Sequence, residues 1–161
     1  MTKKVRQRKS SGLKSRTGQA RRDLYAKSLE RIAKAIEAGY ALEAITLLES
    51  LIADRLESRL ASIHDQKAEK RKFSTLGNLT QELKGKESGE PPGAVAIYER
   101  VEKWAGLRNE AIHEFAKLRE GSSKKWETKY RKAVKAAKDG IPLFNDLSAE
   151  VKKLNRPRTA R

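Results

Sequence analysis

Apolar residues recur along this chain at spacings of three and four, the period of amphipathic helices, with no alternating run that would mark a strand. Leu24, Leu29, Ile32, Ala33 and Ile36 form a stripe that predicts a first helix from about Arg22 to Ala38, and Gly39 is a suitable C-terminal stop. The clearest element runs from about Tyr40 to His64. Its stripe of Ile45, Leu48, Ile52, Leu56, Leu60 and Ile63 is widened by Leu47 and Leu51, broad enough to serve a core and a partner surface. Residues 65–72 are charged and aperiodic and read as a loop. Phe73 to about Lys84 reads as a short helix capped by Ser74 or Thr75 and anchored by Leu76, Leu79 and Leu83. Residues 85–93, with three glycines and a proline pair, are the strongest internal breaker. Ala94 to about Leu118 is the next helix, with Ile97, Val101, Trp104, Ala105, Ile112, Phe115 and Ala116 on its apolar face. A last segment starts at Ser122 and carries Trp126, Tyr130, Val134 and Ala137. Gly140-Ile141-Pro142 is expected to interrupt it before Leu143, Leu147, Val151 and Leu154 resume the pattern. The pattern predicts an all-α, four- to five-helix up-down bundle over residues 22–155, in which Trp104, Trp126, Tyr130 and Phe144 are core residues.

Composition changes this picture mainly through charge. The 161 residues carry a net charge of +16. Residues 1–22 hold nine basic side chains and no acid: Lys3, Lys4, Arg6, Arg8, Lys9, Lys14, Arg16, Arg21 and Arg22. Residues 152–161 hold five more, again without an acid, so the body between carries only +2. Residues 1–21 are read as a disordered basic tail and residues 156–161 as a second one. Such ends attract polyanions and release counterions on meeting phosphates. The nine N-terminal cations are therefore candidate nucleic-acid contacts; a solvated tail that only aids solubility is the plainer alternative. A membrane surface fits poorly, because the tails have almost nothing apolar to insert. No apolar run approaches a bilayer span and no secretory pattern opens the chain, so a cytoplasmic protein is expected. With no cysteine, two separated histidines and no dense carboxylate cluster, neither a metal site nor a cofactor is expected.

Candidate chemistry concentrates in Arg108-Asn109-Glu110-Ala111-Ile112-His113. On an ideal helix Arg108 falls in the middle of the apolar arc set by Ile97, Val101, Trp104 and Phe115. A charge there is costly unless it is paired or wet. Arg108 is thus either a functional group or a snorkelling side chain paired across the bundle with a carboxylate such as Asp54. His113 lies about 140° further round the same helix. The two converge only if the helix bends, for which Gly106 is placed, or if two copies of the segment meet. Glu110, three residues before His113, is placed to orient its ring. Spacing alone is weak evidence: Arg59-Leu60-Ala61-Ser62-Ile63-His64 repeats it. That copy lacks Asn after the Arg and sits at a helix end, where His64 reads as a capping or surface residue.

Arg108-Asn109-x-x-x-His113 resembles the R-x4–6-H motif of the HEPN superfamily of helical ribonucleases, in which a polar residue often follows the Arg. The long apolar helix before it, and the later helix entering the motif through Trp104, are similar in organisation over about residues 23–155. The resemblance implies a homodimer in which two motifs form one metal-independent RNA-cleaving site. Arg108 would bind and stabilise the scissile phosphate, His113 would act as acid or base, and Asn109 would support the geometry. It implies a toxin-like or antiviral-defence role, with an antitoxin or defence-system partner. Members paired with nucleotidyltransferase antitoxins often read R-x4-H-x-Tyr, with the Tyr as the modification site; Phe115 stands there instead, so neutralisation by that route is not expected. The residue types suit the chemistry: an imidazole exchanges protons near neutral pH, and a fixed guanidinium stabilises charge developing on a phosphorane. The alternative is a non-catalytic nucleic-acid-binding helical module or an accessory subunit of a ribonucleoprotein.

Overall fold

The structure, a computed structural model, describes residues 16–64, 74–89, 92–116 and 123–155. Among the described residues every regular element is a helix: α1 (Arg16–Glu37), α2 (Ala41–Ile63), α3 (Leu76–Lys86), α4 (Pro92–Ala116) and α5 (Ser123–Leu154). The expected loop at 65–72 and most of both basic tails lie outside the described residues. None of these helices is long and apolar enough to cross a membrane.

Three local readings need correction. First, α1 begins at Arg16, so residues 16–21 belong to a helix and not to a disordered tail. Polar links extend it where no apolar period exists: Gln19 Nε2 donates to Asp23 at 2.9 Å, and Arg21 donates to Asp54 of α2 at 2.7 Å. Second, its buried side is Tyr25, Ile32 and Ala35, while Leu24 is 61% exposed. Tyr25 takes that place because its ring meets Phe144 edge-on at 5.7 Å and its hydroxyl donates to Asp54. Third, Gly140-Ile141-Pro142 does not break α5, which is one helix of 32 residues with Pro142 inside it. A continuous buried stripe of Ala133, Ala136, Ala137, Leu143, Phe144, Leu147 and Val151 keeps helical register across the proline. That burial outweighs the one backbone hydrogen bond the ring removes.

Other signals hold. Gly39 ends α1 with φ +84°, Tyr40 N–H returns to Ala35 O at 2.7 Å, and Gly39 N–H returns to Ile36 O at 3.2 Å, the bonds of a Schellman turn. Thr75 caps α3 by accepting from Asn78 N–H at 3.3 Å, and Leu76, Leu79 and Leu83 anchor it. The broad face of α2 is used within the chain, against α1, α3 and α5.

Pairings along the helices set their directions. Arg31–Glu43 and Tyr25–Asp54 make α1 and α2 antiparallel. Lys132–Glu110, Trp104–Ala136 and Arg100–Asp146 do the same for α4 and α5. Tyr130–Gly39, Arg55–Ser148 and Arg59–Leu154 run α5 in the same sense as α2. Gln81–Glu102 and Tyr98–Glu87 place α3 antiparallel to α4. Therefore α2 and α3 follow one another in the same sense, and strict up-down alternation fails at that connection. The four helices α2, α5, α4 and α3 form a ring, with α1 outside on the α2/α5 edge. With 11 residues against 23, α3 spans roughly 16 Å beside the roughly 34 Å of α2. Part of the α2/α4 seam is left open, and Arg108 stands there.

Candidate functional site

The open seam is a cleft of about 950 Å³ walled by α2, α4 and the start of α3. Thr46, Glu49 and Ser50 line it from α2, Thr75 and Asn78 from the head of α3, and Arg108 and Asn109 from α4. The Arg108 side chain is 16% exposed and ion-paired with Glu49, itself 32% exposed. One terminal nitrogen of Arg108 donates to that carboxylate and the other to Asn109 Oδ1 at 2.6 Å. Its Nε is buried with no hydrogen-bond partner. The apolar-arc position thus gives a half-enclosed cation with a counter-charge across the bundle. The partner is Glu49 and not Asp54, which takes Tyr25 and Arg21 from α1.

His113 does not join them. Helix α4 is continuous from Pro92 to Ala116 with no break at Gly106, so Arg108 and His113 keep their separation of about 140°. His113 is exposed. Glu110 does not serve its ring; its carboxylate accepts from Lys132 of α5 at 2.6 Å. One chain therefore brings together Arg108, Asn109 and Glu49, and leaves the imidazole on another arc.

The second Arg-x4-His copy is a structural tie. Arg59, 12% exposed, donates through Nε and a terminal nitrogen to Glu87, which is 2% exposed. Its other terminal nitrogen reaches Leu154 O at 3.1 Å and Asn155 Oδ1 at 2.9 Å. The buried Tyr98 hydroxyl completes the group by donating to Glu87. Burial, reinforced by this hydrogen bond, pushes the Tyr98 phenol well above its ordinary range. His64 sits at the end of α2 with Nε2 3.4 Å from Glu82 Oε1. These residues hold the ends of α2, α3 and α5 together, and none of them lines the cleft of Arg108.

Comparison of the chain with protein-family models, curated proteins and solved structures finds no match.

Of the nine N-terminal cations, Lys3, Lys4, Arg6, Arg8, Lys9 and Lys14 lie outside the described residues, and Arg16 opens α1. Arg21 is committed to Asp54, and Arg22 donates to Gln19. Two residues escaped the sequence reading. Glu49 lies among the charged positions of α2, and only the rotational setting of that helix shows that it faces Arg108. Trp126, expected in the core, is 52% exposed. It stacks on Tyr130 at 5.3 Å and meets Phe115 edge-on at 6.1 Å, beside the 63%-exposed Tyr40. Its place in the first turn of α5, beyond the closely packed part of the helix, was the available signal. Among the described residues no three His, Asp or Glu side chains gather into a metal-holding group.

Proposed function

We propose that the protein is an endoribonuclease of HEPN type, needing no metal, whose site is completed by two copies of the chain. The observation that carries this reading is Arg108: a guanidinium on an apolar arc, held at a cleft wall by Glu49 and Asn109 through one bond from each terminal nitrogen, with a second N–H on each beyond those bonds. Such a group is oriented before substrate arrives and can receive a phosphate oxygen without rebuilding the core. In the reaction the RNA 2′-oxygen attacks the adjacent phosphorus while one His113 takes the 2′-hydroxyl proton. The bond to the 5′-oxygen breaks, and the His113 of the second copy protonates that oxygen. The products are a 2′,3′-cyclic phosphate and a 5′-hydroxyl end. Arg108 neutralises charge on the phosphorane. The 140° separation on a straight helix motivates the second copy, since no single chain presents both groups to one phosphate. A toxin-like or defence role, with an inhibitory partner protein, fits a polycation that cuts RNA.

The test is cleavage of RNA by the pure protein in EDTA, against Arg108→Ala and His113→Ala. Both variants should be inactive. Because each cut uses the imidazoles of both copies, re-equilibrating the wild type with excess His113→Ala should silence the wild-type copies drawn into mixed dimers. Wild-type activity untouched by excess His113→Ala would refute the shared site, and full activity of either single variant would refute the catalytic assignment. A second reading, a non-catalytic RNA-binding module, is favoured by one observation: Glu49 already neutralises Arg108. It predicts RNA binding without cleavage in every variant.

A further inference from the structure

Away from the Arg108 cleft, a groove of about 690 Å³ lies between α1 and α5 over the floor of α2. Its charged lining is Arg22, Arg55, Lys152 and Lys153, and among the described residues no carboxylate lines it. Arg55 is the fixed member. Its guanidinium lies 4.2 Å from the centre of the Tyr25 ring, and its Nε donates to Ser148 Oγ at 3.2 Å. Among the described residues it forms no ion pair with a carboxylate, although neighbouring Asp54 pairs with Arg21. Burial pushes the Arg55 pKa down, against the opposing pull of nearby Asp54. Lys152 and Lys153 are exposed in the last turn of α5; Lys153 also approaches Glu150 on its own helix at 3.4 Å.

The groove also explains the placement of charge along the sequence. The two acid-free stretches, 1–22 and 152–161, are separated by the whole bundle in sequence. Arg22 belongs to the first and Lys152 and Lys153 to the second, and the fold puts all three on one groove. Cations from both ends of the chain thus gather around an internal arginine pre-set by an aromatic face. A fixed guanidinium flanked by mobile ammonium groups suits a run of phosphates more than a single small anion.

We infer that the α1/α5 groove, with Arg55 as its anchor and Arg22, Lys152 and Lys153 around it, binds the sugar-phosphate backbone of RNA independently of base sequence. The inference rests on the reading of the protein as RNA-directed, but not on cleavage. Measured along α5, the groove residues lie about 33 Å from the Trp126–Tyr130 end, near which α4 presents His113. The groove therefore holds RNA remote from the cut and adds affinity without altering the choice of bond.

The experiment uses the full chain and a single-stranded, fully 2′-O-methylated RNA, which 2′-oxygen attack cannot cleave. Affinity is measured against salt for the wild type, for Lys152→Gln/Lys153→Gln, for Arg55→Gln, and for Lys135→Gln/Lys138→Gln, which removes equal charge elsewhere on α5. The Lys152/Lys153 variant should flatten the slope of log affinity against log salt by about 1.4, near 0.7 for each lost phosphate contact, equally for unrelated sequences. Both groups are exposed, so this variant remains informative if Arg55→Gln fails to fold. The control should change the slope by less than half as much. An unchanged slope in the groove variant, or an equal fall in the control, overturns the inference. So does binding to phosphatidylserine vesicles that depends on the groove and is not competed by the RNA. Cleavage of ordinary RNA by the groove variant, with unchanged binding, would leave the endonuclease reading standing while this one fails.

Discussion

Replacing Glu49 by Gln asks whether Arg108 is held for strength or for use. The substitution keeps the shape and an acceptor oxygen but removes the counter-charge. The two side chains are 16% and 32% exposed, so the pair is neither a surface bridge nor fully enclosed. Exposed pairs contribute about 0–1 kcal/mol, and breaking an enclosed one costs about 3–5 kcal/mol. At intermediate burial, with a wet cleft on one side, each single substitution (Glu49→Gln or Arg108→Gln) should cost about 1–2 kcal/mol. The coupling in the double-mutant cycle should be about 1 kcal/mol. Urea melts of the four proteins read this directly. RNA cleavage in EDTA, measured on the same samples, separates the two roles. Arg108→Gln should abolish cleavage. Glu49→Gln should keep it or raise kcat, because the guanidinium no longer shares its charge with a carboxylate. A coupling below about 0.3 kcal/mol would show that the pair does not form. Cleavage that survives Arg108→Gln, or that Glu49→Gln reduces as severely as Arg108→Gln does, would refute the idea that Glu49 merely holds a catalytic arginine.

Further outcomes follow from particular contacts. A Cβ at Gly140 would lie 2.8 Å from Leu48 Cδ1 and 3.0 Å from Trp104 Nε1, whereas one at Gly106 would meet nothing within 4 Å. Thermal melts should show Gly140→Ala destabilised by about 1–3 kcal/mol and Gly106→Ala stabilised by up to about 1 kcal/mol; the same sign for both would contradict the close crossing of α5. Glu87→Ala should cost about 3–5 kcal/mol in urea melts, because it strands Arg59 in an enclosed site. Burial and the bond to Asp54 push the Tyr25 hydroxyl up to about 12, and Tyr98 shifts in the same direction. A phenol whose folded pKa is raised contributes stability that is complete below its unfolded pKa near 10 and lost as pH climbs towards 12. Stability should therefore fall across that window, and less steeply in Tyr25→Phe, as read by urea midpoints at stepped pH. His113→Ala should change stability by no more than about 0.5 kcal/mol, since the side chain is exposed, so lost activity would not be unfolding.

Much of this fold could be read from spacing, because burial and helical period are the same information. The stripe of α2, the Thr75 cap and the Gly39 stop all declare themselves in residue order. The start of α1 does not: residues 16–21 are held by Gln19–Asp23 and Arg21–Asp54, polar links that leave no trace in hydropathy. Pro142 misled because the interruption rule is local, while the buried stripe that overrides it runs on both sides of the proline, from Ala133 to Val151. The choice between Glu49 and Asp54 needed tertiary structure. Five residues apart, they point about 140° away from each other on α2. One meets α4 and the other α1, and only the packing of α2 among its neighbours decides which.

The two Arg-x4-His copies show what spacing leaves out and donor accounting supplies. A guanidinium has five N–H donors. Arg59 directs its donors to Glu87, Leu154 O and Asn155, drawing on Nε and both terminal nitrogens. For it to take a phosphate, the ends of three helices would have to let go. Among the described residues Arg108 is bonded only to Glu49 and Asn109, one bond from each terminal nitrogen, and its Nε is buried without a partner. Each terminal nitrogen has a second N–H beyond those bonds. The same six-residue spacing thus gives a tie in one helix and a poised cation in the other, and the difference lies in how many donors the fold consumes. What Arg108 lacks is a proton-transfer group within its own chain, because α4 stays straight and turns His113 away. If Arg108 is catalytic, its imidazole must come from elsewhere, and a second copy of α4 supplies one by symmetry.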